Sequence, residues 1–182
     1  MPLMLDAPEF EAHGRELPEL ARRAIRGWLD TGQRMLLDRR LGPPAPVFVT
    51  LRNPDGSLRG CIGSLAPTEP DVGRETVRSA VLAAVRDPRF SEVREDEVDE
   101  LRVEVSVLLP EEPVSGLEDL EPVQYGVVVR DAAGRQGVLL PSVPGIEDAA
   151  EQVAIARRKA GIAPAAQVSL SRFRVCKFTS EP

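Results

Sequence analysis

The stretch "VFVTLRNPDGSLRGCIGSL", residues 47–65, alternates apolar and polar residues on both sides of a turn, and its reading decides the fold. Asn53-Pro54-Asp55-Gly56 suits a type I turn, with Asn at the first position, Pro supplying its fixed φ at the second, and Gly taking the left-handed position of a G1 bulge. The spacing therefore predicts an antiparallel hairpin in which 57–65 returns against 47–52. Alternate side chains of an extended strand share a face at roughly 7 Å, so Arg59, Cys61 and Gly63 look one way and Leu58, Gly60 and Ile62 the other. The glycines strip bulk from both faces and leave room for a ligand or a second backbone segment.

Working outward, "LPELARRAIRGWLD" places Leu17, Leu20, Ala21, Ala24, Trp28 and Leu29 on one helical stripe, with Gly32 as a stop and Arg22, Arg23 and Arg26 expected to face water. The prolines of "LGPPAP" then break the chain before the first strand. Beyond the hairpin, Thr68 or Asp71 caps a second helix whose buried stripe is Val77, Ala80, Val81, Ala84 and Val85, and Asp87-Pro88 ends it. An acidic helical turn near 95–101 leads into a half-buried strand in which Val103, Val105, Val107 and Leu109 alternate with polar partners. Proline and glycine in "PEEPVSGLEDLEPV" mark a hinge. A second hairpin follows from Tyr125 through Asp131 and Gly134 to Leu140. A helix from about Ile146 to Ala160 closes on Gly161, and "VSLSRFRVCKF" reads as a final strand bulged near Arg172, where its apolar alternation changes phase.

Hairpins interspersed with helices, without a series of βαβ crossovers, give an α+β fold with a mainly antiparallel sheet and flanking helices. Neither GxGxxG nor GxxxxGK[ST] occurs, so those two nucleotide folds lose their main sequence support. The chain has 182 residues, 42% of them hydrophobic and 29% charged, enough for a self-sufficient interior and against disorder. No apolar run approaches the roughly 20 residues that cross a bilayer, and the N-terminal stretch has no export pattern. A reduced, cytoplasmic protein is the expectation, with Cys61 and Cys176 unpaired. A net charge of -6 opposes a main role in gripping nucleic acid. The basic clusters at Arg22 to Arg26, Arg157 to Lys159 and Arg172 to Lys177 read first as solvated faces.

Arg59 beside Cys61 would favour the thiolate, the form that attacks electrophiles or binds soft metals. A buried, inert cysteine packed among glycines is the simpler reading. The only histidine, His13, lies ahead of the first long helix and reads as an exposed terminal residue, which argues against a Cys-His dyad. No CxxC or histidine pair suggests a metal. "RDPRF", residues 86–90, is a helix stop with Phe90 as a core anchor, or a functional loop from which Asp87 or Arg89 reaches the hairpin. Lys159 reads as a helix-end cation.

"LRGCIGSL", "DPRF", "VEVSVL", "LLPSV" and "KAGI", in this order and at these separations, resemble the AMMECR domain family, whose bacterial and archaeal members are called AmmeMemoRadiSam system protein A. The resemblance spans about residues 15–178. It implies that residues 1–182 form one AMMECR-type domain of two unequal lobes, the larger holding both termini and the smaller covering roughly 120–165. It also implies an inter-lobe cleft near "LRGCIG", so that Leu58, Arg59, Gly60, Cys61, Ile62 and Gly63 carry over as cleft residues, joined by Asp87 and Arg89 from the loop. A Memo-like protein and a radical SAM protein are the implied partners, and no cofactor or metal is implied. The chain departs from the family pattern in having Arg157 and Arg158 where an aromatic residue is usual before "KAG", and in lacking a tryptophan soon after. The reading is a binding or accessory protein for a small-molecule ligand or a partner's segment. The alternative is an enzyme with Cys61 as nucleophile, and RNA or DNA binding stands last.

Overall fold

The structure, a computed structural model, describes residues 8–180. It is an α+β fold of two four-stranded sheets, and the chain divides into two compact units, one running to Leu108 and resuming at Cys176, the other Leu109–Val175. In the first unit the helices α1 (Pro8–Gly14) and α2 (Leu17–Thr31) precede the hairpin β1 (Val47–Arg52) and β2 (Leu58–Gly63). Helix α3 (Val72–Val85), strand β3 (Arg102–Leu108) and strand β8 (Val175–Ser180) complete it, with sheet order β2-β1-β3-β8.

The predicted turn forms as read. The Gly56 amide donates to the Asn53 carbonyl at 2.9 Å, Gly56 has φ +85°, and the register shifts between Leu51 and Arg52. Alternation then sorts the faces. Val47, Val49 and Leu51 of β1 and Val103, Val105 and Val107 of β3 are all buried and share one face, against which α2 and α3 pack. Thr50, Glu104 and Ser106 occupy the opposite face. Helix α3 starts at Asp71, whose carboxylate accepts the Arg74 amide, and it buries the predicted valine and alanine stripe.

Gly60 sets the distance between α3 and the sheet. A β-carbon there would collide with the carbonyl oxygen of Ala83, so the helix backbone lies directly on the strand. The room beside Gly63 is filled in turn by the Phe48 ring and the Val47 carbonyl. Both vacancies expected from the sequence are thus occupied by the protein's own atoms.

The second unit contains β4 (Glu112–Val114), β5 (Gly126–Asp131), β6 (Gln136–Leu139), α4 (Ala149–Lys159) and β7 (Val168–Phe173), with sheet order β4-β7-β5-β6. Its core is Leu120, Val127, Val129, Leu139, Val153, Ala156 and Ile162. It reaches beyond 120–165 because β4, inside the stretch read as a hinge, pairs with β7. The two units repeat one plan: a hairpin, a helix capped by aspartate (Asp71, Asp148), and a strand that pairs antiparallel with the hairpin's first strand. Gly137 even meets the Ala156 carbonyl of α4 as Gly60 meets that of Ala83.

Four other expectations change. Arg22 is buried, donating to the carbonyls of Val98 at 2.6 Å and Leu101 at 2.8 Å, because its position on α2 faces the end of the acidic turn. The phase change near Arg172 is no bulge: the chain leaves one sheet after Phe173 and enters the other at Val175. Helix α4 begins at Ala149 because Asp148 caps it, accepting the Glu151 amide at 2.9 Å. His13 lies in α1, with Nδ1 3.6 Å from Glu16 and its side chain 29% exposed, so it is no free terminal residue.

Substituting Gly60→Ala will lower the urea midpoint by the equivalent of about 1–3 kcal/mol, the cost of forcing a methyl group into a close-packed contact. Gly27→Ala on α2, where the space within 4 Å is open, will raise it by up to about 1 kcal/mol through helix propensity alone.

Candidate functional site

The Cys61 segment is an edge strand, and its backbone explains the cluster around it. An edge strand exposes unpaired N–H and C=O groups. At Cys61 these are met by side chains from the loop that ends α3: Asp87 Oδ2 accepts the Cys61 amide at 2.9 Å, and Arg89 Nη2 donates to the Cys61 carbonyl at 3.3 Å. The loop is shaped for this. The Phe90 amide closes a turn on the Asp87 carbonyl at 3.2 Å, with Pro88 at its second position, and Asp87 Oδ1 accepts the Arg89 amide at 3.1 Å. Arg89 then grips Asp87 with Nε at 2.9 Å and Nη2 at 2.7 Å. The loop therefore does reach the hairpin, and it does so while also bonding its own backbone. Phe90 is half-buried beneath the Arg89 guanidinium, 5.5 Å from ring centre to Cζ, and is no core anchor.

Asp87 is buried, with a side chain 2% exposed, yet its carboxyl is held down to about 2 from an ordinary 3.8. The hydrogen bond from Arg89 is the main cause. Burial works against it, and the Cys61 and Arg89 amides add to the lowering. Arg89 is correspondingly held charged, first by Asp87 and to a smaller degree by the Cys61 side chain.

Arg59 goes elsewhere. Its Nε and Nη2 form a fork on Glu97 at 3.0 and 3.1 Å, and Nη1 and Nη2 donate to the carbonyls of Ser91 at 2.8 Å and Glu92 at 3.1 Å. The guanidinium is buried and ties β2 to the segment before β3, and it draws the Glu97 carboxyl below its usual range. The cation that serves Cys61 is Arg89. A third carboxylate, Glu75, is wholly buried in the first turn of α3 and accepts from Ser64 Oγ, the Thr68 amide and hydroxyl, and the Glu69 amide. Leu58 and Ile62 are half-buried on the flanks of the strand.

Cys61 itself is half-exposed, and its Sγ lies 3.3 Å from Thr50 Oγ1 on the neighbouring strand. Thr50 stands opposite Glu104 of β3, whose Oε1 lies 3.6 Å from Lys177 Nζ of β8. Thiol, hydroxyl, carboxylate and ammonium thus form one row across four strands, on the face opposite the valines and Leu51. Ser106, two residues along β3 on that face, is fully buried, and its Oγ has no hydrogen-bond partner among the described residues. Thr50, Glu104 and Glu97 were not singled out from the sequence. The alternation shows Thr50 and Glu104 on the polar faces of their strands, but only the β1–β3 pairing makes them neighbours. No group of three or more His, Cys, Asp or Glu side chains among the described residues is arranged to hold a metal ion.

A family model described as AMMECR1 matches residues 18–181. A protein of Thermotoga maritima is 46% identical over 127 residues, covering 70% of each chain, and one of Methanopyrus kandleri is 41% identical over 164 residues, covering 83% of this chain and 78% of the relative. The crystal structure of the uncharacterized protein PH0010 from Pyrococcus horikoshii superposes with a TM-score of 0.84 at 34% identity, covering 93% of this chain and 92% of that one.

Because the folded Asp87 carboxyl lies at about 2, below its ordinary 3.8, its contribution is full above about pH 4 and is lost as pH falls through 2. The difference in unfolding free energy between the parent chain and Asp87→Asn will narrow by about 2 kcal/mol from pH 5 to pH 2. Denaturant titrations at four pH values measure it, and a pH-independent difference would contradict the assigned ion pair.

Proposed function

Since this chain belongs to the AMMECR1 family, we propose that it is a binding or accessory protein whose recognition surface centres on Cys61 and Arg89, with the buried Thr50 behind the thiol. It works in the cytoplasm with a Memo-like protein and a radical SAM protein, and the surface takes a partner's segment or a small-molecule ligand. The observation that carries this reading is the way Cys61 is presented: a half-buried edge-strand cysteine whose thiol meets a threonine hydroxyl, on a strand whose backbone is locked at that residue by Asp87 and Arg89. Recognition benefits from rigidity, because a surface already in its bound shape spends less free energy on ordering.

The surrounding carboxylates favour binding over thiol chemistry. Asp87 accepts bonds from Cys61 and Arg89 and stays ionised down to about pH 2, so it is a poor proton acceptor at neutral pH. Glu97 is spent on Arg59. The enzyme reading has one observation in its favour, the placement of Glu104 next to Thr50 in the Cys61 row. It needs a proton path from sulfur through the Thr50 hydroxyl to that carboxylate. Nucleic-acid binding loses ground because members of two of the basic clusters are committed elsewhere: Arg22 to buried carbonyls, Arg26 to Asp99, Arg172 to Glu112 and Lys177 to Glu104. Neither Cys61 nor Cys176 forms a disulfide, the state a reducing compartment maintains. Among the described residues no helix is long and apolar enough to cross a membrane.

In the native chain, iodoacetamide will modify half-exposed Cys61 well before buried Cys176, and adding the Memo-like or radical SAM protein of the same organism will slow that reaction about tenfold at about 90% occupancy. Equal alkylation with and without both proteins, together with their failure to co-purify, would remove the partner reading. A Glu104→Gln variant that left Cys61 reactivity unchanged across neutral pH would remove the enzyme reading.

A further inference from the structure

In the second unit, the outward side of α4 and the segment after it enclose a groove of about 540 Å³, within the size range of small-molecule sites. Its apolar surface comes from Ala150, Val153, Ala154, Ile162 and Pro164. Ala150 and Ala154, one helical turn apart and both exposed, keep it open because neither side chain projects far. At one end stand Arg157 and Arg158, and none of the described lining residues is acidic.

The two arginines differ in a way that matters. Arg157 Nη1 donates to three carbonyls, those of Ala163 at 3.0 Å, Pro164 at 3.1 Å and Ala166 at 2.9 Å. That fixes the guanidinium and leaves its Nε and Nη2 without a partner among the described residues. These two nitrogens form the edge that matches a carboxylate with two parallel hydrogen bonds. Arg158 is exposed and has no ion pair or side-chain hydrogen bond among the described residues. The carbonyl end of a helix ordinarily repels an anion. Here the last carbonyls are already satisfied: that of Arg157 accepts the amides of Ala160 and Ile162, and that of Arg158 accepts the amide of Gly161.

We propose that this groove binds a small amphiphilic carboxylate, with its apolar body along Ala150, Val153 and Ala154 and its carboxylate on Arg157 and Arg158. Arg157 orients the anion and Arg158 adds a mobile second charge. The site is independent of the Cys61 surface, and its test does not depend on that reading.

The test uses the isotope-labelled full chain titrated with decanoate below its micelle concentration, with decanol as the uncharged control, followed by amide chemical shifts. Decanoate will give saturable shifts at Val153, Ala154 and Ile162, and decanol will bind about tenfold more weakly or worse. Arg158→Gln, a change on an exposed side chain, will weaken decanoate about tenfold while leaving decanol unchanged. Ala154→Trp, checked for unchanged thermal unfolding, will fill the groove and abolish the shifts. No saturable shift at these residues, equal affinity for decanoate and decanol, or full affinity in Arg158→Gln would each overturn the proposal.

Discussion

The capping of one edge residue by a carboxylate and a guanidinium is the contact on which the first unit depends. Asp87 accepts where a neighbouring strand would offer a carbonyl, and Arg89 donates where it would offer an amide, so the pair imitates a fifth strand at Cys61. This removes the unpaired amide and carbonyl of Cys61 from the sheet edge. It also fastens the C-terminal end of α3 to the strand on which the helix lies, where Gly60 has already brought the two backbones together. A buried carboxylate is tolerable only when its acceptor positions are filled. Asp87 meets that condition through the groups it organises, so the loop, the strand and the helix end stand or fall together.

This changes the meaning of "LRGCIGSL". Read along the chain, the arginine, the cysteine and the glycines suggest a cation and a thiol facing an open space. In three dimensions the strand bulge at Arg52 and the demands of burial separate them. Arg59 turns to Glu97 and two carbonyls, Gly60 admits a helix, and Gly63 admits Phe48. What remains at the edge is half-buried Cys61 and the exposed guanidinium of Arg89, two groups far apart in sequence that one ion pair brings together.

Local features were legible because their causes are local. The turn at Asn53 to Gly56, the Asp71 cap, the glycine stops and the alternating strands each follow from a few adjacent residues. The loop from Asp87 to Arg89 was legible as a possibility because a short Asp-Pro-Arg turn can project both side chains. Partners drawn from distant segments were not. Nothing adjacent to Arg22 signals the carbonyls of Val98 and Leu101, and nothing adjacent to Thr50 signals Glu104. The strand β4 was hidden because three residues containing a proline carry almost no periodic signal, and only β7 makes them a strand. The shared plan of the two units is invisible in the sequence for a related reason: it lies in the order of pairing, not in residue types that recur.

The second unit is an insertion within the first. It leaves the first sheet after β3 and returns in β8, which are neighbours in that sheet, and its own ends are tied by the Leu109 amide on the Arg174 carbonyl at 2.9 Å. Were the inserted segment a random coil, joining β3 to β8 would carry a chain-closure entropy on the order of 4 kcal/mol. Once the insert has collapsed onto its own core, its two ends are already side by side and that entropic barrier is gone. A folded insert thus acts as a short clasp between β3 and β8, and the last strand joins the outer sheet at a fraction of the entropic cost a slack loop would impose.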